Sequence, residues 1–169
     1  MNPFTWSYRR QCALGAAICA AMLGYALYVQ HGMFMQPCPL CILQRAAFVA
    51  MGLFFLVGAV GGEQPAWLRK TSAVLVAFFA AIGAGIAGWH LMLQNLPPSE
   101  VPSCSGMDIS YMLDAFPLQK VIEKIFTGSG ECAVVDWTFL GLSMPAWTLI
   151  WYVLLGVAVL WAGFRRRGG

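Results

Sequence analysis

Charge is what this chain has least of. Only 10% of its 169 residues are charged, against 60% hydrophobic, and the mean hydropathy is +0.71. A soluble domain carries about a quarter charged residues, so that class is excluded. The net charge is only +3 and its basic residues form no groove, so nucleic acid is not an expected partner. Internal repeats and low-complexity tracts are also missing.

What remains is dominated by apolar runs at about residues 11–29, 42–60, 71–93 and 144–164. Each is close to the roughly 20 residues that a helix needs to cross a bilayer. The third and fourth hold no charge, and the second holds only Arg45, near one end. Little sequence is left over. The expectation is one all-α membrane domain over 1–169, a four-helix bundle with its long connection at 94–143.

The basic residues orient it. Arg9 and Arg10 precede the first run, Arg69 and Lys70 lie in the second connection, and Arg165, Arg166 and Arg167 close the chain. The other two connections carry only Lys120 and Lys124. The positive-inside rule then puts both termini in the cytoplasm, and 30–41 and 94–143 outside. Arg9 and Arg10 before an apolar run also suit a cleaved secretion signal, but the run is long for one and three more follow.

The outer segments differ in character. Segment 30–41 has no charged residue and ends in Pro37-Cys38-Pro39-Leu40-Cys41. Pro39 disfavours helix at Cys38, so the second helix is expected to start near Leu40 or Cys41. Cys41 would then sit in a first turn, where free N–H groups and the helix dipole favour a thiolate. Segment 94–143 opens with a proline-rich stretch, Pro97 to Ser103, that reads as a non-helical arm carrying Cys104. Further on, Leu118, Val121, Ile122, Ile125 and Phe126 share one helical face, with Gly128 as a stop. That short amphipathic helix is expected to lie in the membrane interface, or else against the bundle, and to hold Cys132 near the surface.

By this topology Cys38, Cys41, Cys104 and Cys132 face the compartment where disulfides persist. Cys12 and Cys19 fall inside the first span and read as small core residues. Two turns apart, they are too distant to pair. Haem attachment is excluded because Ile42, not histidine, follows Cys41. A thioredoxin-like motif is excluded by the lack of a surrounding βαβ pattern. Structural disulfides and a four-cysteine zinc site stay open as alternatives, although a CxxC bridge closes too small a loop to constrain much chain. The run from Gly83 to Gly88 matches GxGxxG, but no strand precedes it; its small residues read as a place where helices approach closely. Tryptophans and tyrosines read mostly as interfacial anchors.

Arg45 weighs most in favour of chemistry. It lies one turn after Cys41, on the same helix face, and an arginine in the hydrocarbon edge is a functional candidate unless it snorkels to head groups. Beside a thiol it favours thiolate and offers donors to an oxyanion. His90 falls at the outer end of the third span and can meet Arg45 in depth, although alone it reads as an interfacial histidine. Gln44, His31 and Glu131 are weaker candidates.

The segments Cys38-Pro39-Leu40-Cys41-Ile42-Leu43-Gln44-Arg45, Trp89 to Gln94, Gly128 to Cys132 and Trp137 to Pro145 resemble the DsbB family, the disulfide bond formation protein B of bacterial inner membranes. The likeness covers nearly the whole chain. It implies a quinone-dependent thiol oxidase that reoxidises a periplasmic DsbA-like dithiol oxidase. It implies catalytic roles for Cys38, Cys41, Cys104 and Cys132. Cys104 would take the attack of the partner's thiolate and Cys132 would be the leaving thiol. A transient Cys38–Cys132 bridge would link the loops. Arg45, His90 and Cys41 would meet the acceptor, ubiquinone or menaquinone, and no metal is implied. Proline at position 39 departs from the aliphatic residue of the family's best-known member.

Overall fold

The structure, a computed structural model, describes residues 7–60, 65–97, 99–100, 130–135 and 137–165. Cys104 and the amphipathic helix expected at 118–126 lie outside the described residues.

Four long helices account for most of what is described: α1 (Tyr8–Gly32), α2 (Pro39–Val60), α3 (Ala66–Gln94) and α4 (Met144–Phe164). All four are long and apolar enough to cross a membrane. Both α1 and α3 outrun their apolar cores. At ~1.5 Å per residue, the 29 residues of α3 are longer than the roughly 30 Å hydrocarbon layer requires. Hydropathy marks the depth of lipid, whereas the helix continues until its caps end it.

Those caps are local chemistry. Ser7 accepts from the Arg10 N–H and opens α1. Ser143 precedes α4, with Pro145 in its first turn, where a missing N–H leaves no helical bond unmade. Helix α2 begins at Pro39, one residue before the expected start near Leu40 or Cys41. Proline's fixed φ suits the first helical position, so Pro39 starts the helix and Cys38 becomes its cap.

Neighbouring helices run antiparallel. Helix α1 packs on α2, α2 on α3 and α3 on α4, while α1 and α4 touch only lightly. Lipid is as apolar as the side chains, so close packing and polar contacts hold the helices together. A Cβ at Gly58 of α2 would lie 2.7 Å from the Cys12 sulfur of α1. Cys12 and Cys19 are both 1% exposed, packing as small apolar residues. From the Gly83–Gly88 stretch it is Gly83 that makes the close approach, against the ring of Tyr152 on α4, while nothing lies near Gly85 or Gly88. Tyr152 also stacks on Phe48 of α2, ring centroids 4.3 Å apart, tying three helices together.

The two ends differ. At one, the Tyr8 hydroxyl lies 2.8 Å from Ser72 Oγ, and Arg69 Nε donates to the Gly163 carbonyl at 3.1 Å. At the other lie Cys38, Cys41, a short 3-10 turn (Gly130–Cys132) and a small hairpin. Its strands β1 (Thr138–Phe139) and β2 (Leu142–Ser143) pair Thr138 with Ser143 and Phe139 with Leu142. Leu140 (φ 51°) and Gly141 (φ 79°) form the tight turn between them. Two positive φ values match the twist of a two-residue hairpin, and leucine hides that signal from the sequence. The hairpin closes over the helix ends through aromatics: Trp137 meets Tyr25 edge-on and stacks on Phe139, and Trp147 Nε1 donates to the Phe139 carbonyl at 3.0 Å.

Gly83→Ala is expected to destabilise the bundle by about 1–3 kcal/mol, because the added carbon overlaps a ring that cannot retreat. Gly85→Ala should be neutral or stabilising by up to ~1 kcal/mol, from helix preference alone. Unfolding by SDS titration in mixed micelles measures both.

Candidate functional site

The site begins at the cap of α2. The Ile42 N–H bonds to the Cys38 carbonyl at 3.2 Å, and the Cys41 N–H points at the Cys38 sulfur at 3.4 Å. Sulfur thus takes the place that a serine or aspartate oxygen fills at an ordinary N-cap. Cys41 sits in the first turn as expected, and its own N–H there serves the neighbouring sulfur, Cys38. The Cys38 thiol in turn donates to Cys41 Sγ, 3.0 Å away. A hydrogen bond with Cys132 pulls the Cys38 thiol down, but its donation to Cys41 and its burial outweigh that and push it up to about 12. An acid pushed that high keeps its proton at neutral pH. Negative charge in the reduced pair is therefore disfavoured at Cys38.

His90 overturns the interfacial reading. It is 2% exposed and sits between the two cysteine segments. Its Nε2 lies 3.8 Å from Cys38 Sγ and 3.1 Å from the Cys132 carbonyl, and its Nδ1 lies 3.1 Å from Gln44 Nε2. With the Gln44 amide donating to Nδ1, the ring proton falls on Nε2 and is donated to that carbonyl. The short turn thereby docks on α3 and brings Cys132, fully buried, beside Cys38.

Gln44, ranked low from the sequence, is the hub of the site. Its Oε1 accepts from Thr148 Oγ1 of α4 at 2.7 Å, and its backbone carbonyl accepts from the Tyr152 hydroxyl at 2.6 Å. Thr148 and Tyr152 gave no signal of their own in an apolar run. Gln44 did give one: an uncharged polar residue one turn from Cys41 inside a span needs a partner.

Arg45 is half-buried and faces α1. Its guanidinium donates to the Ala26 carbonyl at 3.1 Å and to the Gln30 side chain. Protein atoms, rather than lipid head groups, hold it there. It shares the lining of a cavity of about 400 Å³ with Cys38, Cys41, His90, Gln94 and Glu131. Val29, Met35, Val135 and Trp137 give that cavity apolar walls. The volume falls in the range of small-molecule sites, and an apolar body with a few polar points is their usual make-up. A smaller cavity nearby is also lined by Cys41 and Arg45, with Met22, Phe48 and Pro145. Both are walled by α1 and the start of α4, two helices that touch only lightly.

Of the residues singled out from the sequence, Cys38, Cys41, Cys132, Arg45 and His90 come together. His31 is exposed in the last turn of α1, Glu131 is an exposed part of the cavity wall, and Cys104 lies outside the described residues. Two cysteine segments meet around one imidazole, beside a cavity that bears a guanidinium.

Comparison with known proteins agrees. The family model for disulfide bond formation protein DsbB matches residues 8–162. A disulfide bond formation protein B of Xanthomonas euvesicatoria is 45% identical over 167 residues, covering 99% of this chain and 96% of its own. One from Xanthomonas campestris is 44% identical over 168 residues, covering 99% and 97%. One from Xylella fastidiosa is 39% identical over 165 residues, covering 98% and 95%. The chain belongs to the DsbB family, and is thereby a multi-pass membrane protein and a disulfide-forming oxidoreductase.

Proposed function

We propose that this protein reoxidises a DsbA-like dithiol oxidase and passes the electron pair to a membrane quinone. The reading places both termini in the cytoplasm of a bacterial inner membrane and the cysteine end in the periplasm, because Arg9, Arg10, Arg69, Lys70 and Arg165 belong to the opposite end. The observation that carries it is that Cys38 and Cys41 have Cys132 on one side and an Arg45-bearing cavity on the other. On this reading Cys132 supplies the sulfur exchange and Cys41 serves the lipid-soluble acceptor.

In this scheme the partner's thiolate attacks Cys104 of a Cys104–Cys132 bridge. A mixed disulfide forms and Cys132 leaves with the electron pair. When the partner's second thiol releases Cys104, the partner is oxidised and this chain holds the two electrons. Cys132 then attacks Cys38: a Cys38–Cys132 bond forms, the Cys38–Cys41 bond breaks, and the pair passes to Cys41. The 3.0 Å separation of Cys38 and Cys41 suits that bond. His90 holds the Cys132 segment against Cys38 and keeps a proton on Nε2 beside the reacting sulfur.

The cavity fits a quinone ring: its volume suffices, its walls are apolar, and Arg45 is anchored by α1 so that it can offer charge to an oxygen of the acceptor. A bound quinone would supply a two-electron acceptor that leaves as quinol with two protons, as either ubiquinone or menaquinone. The thinly packed seam between α1 and α4 suits entry from the bilayer. Overall, two partner thiols lose two electrons and two protons, and the acceptor gains both.

Anaerobic mixing of the purified protein with reduced DsbA-like partner and a soluble quinone should bleach the quinone absorbance, one equivalent per two thiols lost. Thiol oxidation without bleaching would overturn the quinone assignment. Cys41→Ser should abolish quinone reduction altogether. Arg45→Met should raise the apparent quinone KM about 10–100-fold, the equivalent of one charged hydrogen bond, while partner thiol exchange keeps its rate. Gln44→Leu leaves His90 Nδ1 without its donor and Thr148 without the amide, and should destabilise the bundle by about 1–3 kcal/mol in SDS titration.

A further inference from the structure

The redox scheme needs sulfurs to meet in pairs. It does not need an imidazole nitrogen within 4.8 Å of two of them. Yet Cys38 Sγ, Cys132 Sγ and a ring nitrogen of His90 all lie within 4.8 Å of one another. Cys38 Sγ is 3.8 Å from His90 Nε2, and Cys41 Sγ is 3.0 Å from Cys38 Sγ. Around a tetrahedral zinc ion, bonds of about 2.3 Å to sulfur and 2.0–2.1 Å to nitrogen hold neighbouring ligand atoms roughly 3.5–3.8 Å apart. Each of these separations is within about 1 Å of that geometry.

We propose that the reduced protein binds one thiophilic divalent cation, Zn²⁺ or its stand-in Co²⁺, through Cys38, Cys132 and His90 Nε2, with Cys41 turning in from beside Cys38 to close the fourth position. Three cysteines and one histidine make a common closed zinc set. The surroundings suit it. Cys132 is fully buried, and His90 and Cys38 are 2% and 9% exposed, so little water competes. A dication with three thiolates carries one net negative charge, and the Arg45 guanidinium shares their cavity wall.

A ligating Nε2 must give up its proton, so the proton moves to Nδ1 and needs an acceptor. The Gln44 amide can supply one by turning over. Its oxygen then accepts from Nδ1–H, and its NH₂ donates to Thr148 Oγ1. The Thr148 hydroxyl is free to make that exchange because the Pro145 carbonyl lies 2.9 Å away as its alternative acceptor. Such a partner on the second ring nitrogen is what orients metal-binding histidines.

Binding releases three thiol protons per ion and transfers no electrons. It requires free thiols, so sulfurs tied up in disulfides cannot offer the site. An occupied site would hold the sulfurs that exchange needs and park the chain in its reduced form. The ligand geometry does not depend on which acceptor takes the electrons.

The test is anaerobic Co²⁺ titration of the full chain in detergent, reduced with a phosphine and bearing Cys12→Ala and Cys19→Ala. One Co²⁺ per chain is expected, with thiolate-to-cobalt absorbance and tetrahedral d–d bands, displaced by Zn²⁺. Cys132→Ser and His90→Ala should each weaken binding at least tenfold. Reoxidising the unsubstituted ligands should abolish binding without touching the fold, which covers the case of a variant that does not fold. No tetrahedral spectrum in the reduced chain would overturn the site, as would one that persists after oxidation or is indifferent to both substitutions. A chain that reduces quinone normally but binds no cobalt rejects the metal site alone.

Discussion

One buried amide holds the working end of this bundle together. Gln44 belongs to α2, yet its side chain reaches His90 on α3 and Thr148 on α4, and its backbone carbonyl takes the Tyr152 hydroxyl. In water, such a group would have solvent as an alternative partner. Near the edge of a bilayer it has only protein, so the three helices must keep their register for the amide to be satisfied. The imidazole that this amide orients then fixes the carbonyl of Cys132. Positioning passes from the helix packing to the sulfur through two hydrogen bonds.

The same end shows how one residue can serve both folding and chemistry. Cys38 is the cap of α2, where its sulfur meets the N–H of Cys41, and that sulfur also lies 3.0 Å from Cys41 Sγ and 3.8 Å from His90 Nε2. Pro39 favours this. Its ring suits the first helical turn and leaves Cys38 in the half-in position, from which the side chain folds back over the helix end. An aliphatic residue there would permit the same cap but would not enforce it. Arg45 completes the arrangement from one turn deeper, held away from lipid by the end of α1.

Much of the fold and part of the site could be read from the chain alone. The four spans follow from long apolar runs, and Gly83 follows from the logic of small residues between helices. Cys38, Cys41, Cys132 and Arg45 stood out because thiols and a guanidinium are rare in such surroundings. His90 was found but misjudged, since a histidine near a helix end looks interfacial until its neighbours are known. Gln44 was undervalued for the same reason: its three partners come from positions 90, 148 and 152, far away in sequence. The hairpin at Thr138–Ser143 was missed because leucine, not asparagine or aspartate, holds the first left-handed position of its turn.

Composition and spacing by themselves determined that the chain is a four-helix membrane protein with thiols near its helix ends, because the bilayer admits few alternatives to an apolar helix. Family membership was equally legible, since its motifs are short and contiguous. Tertiary structure alone decided which sulfur caps α2, where His90 points, and that a cavity opens between Cys41 and Arg45. Those outcomes depend on how side chains from separate helices meet. Periodicity tells which face of a helix is apolar, but not which atom of a neighbour will stand opposite it.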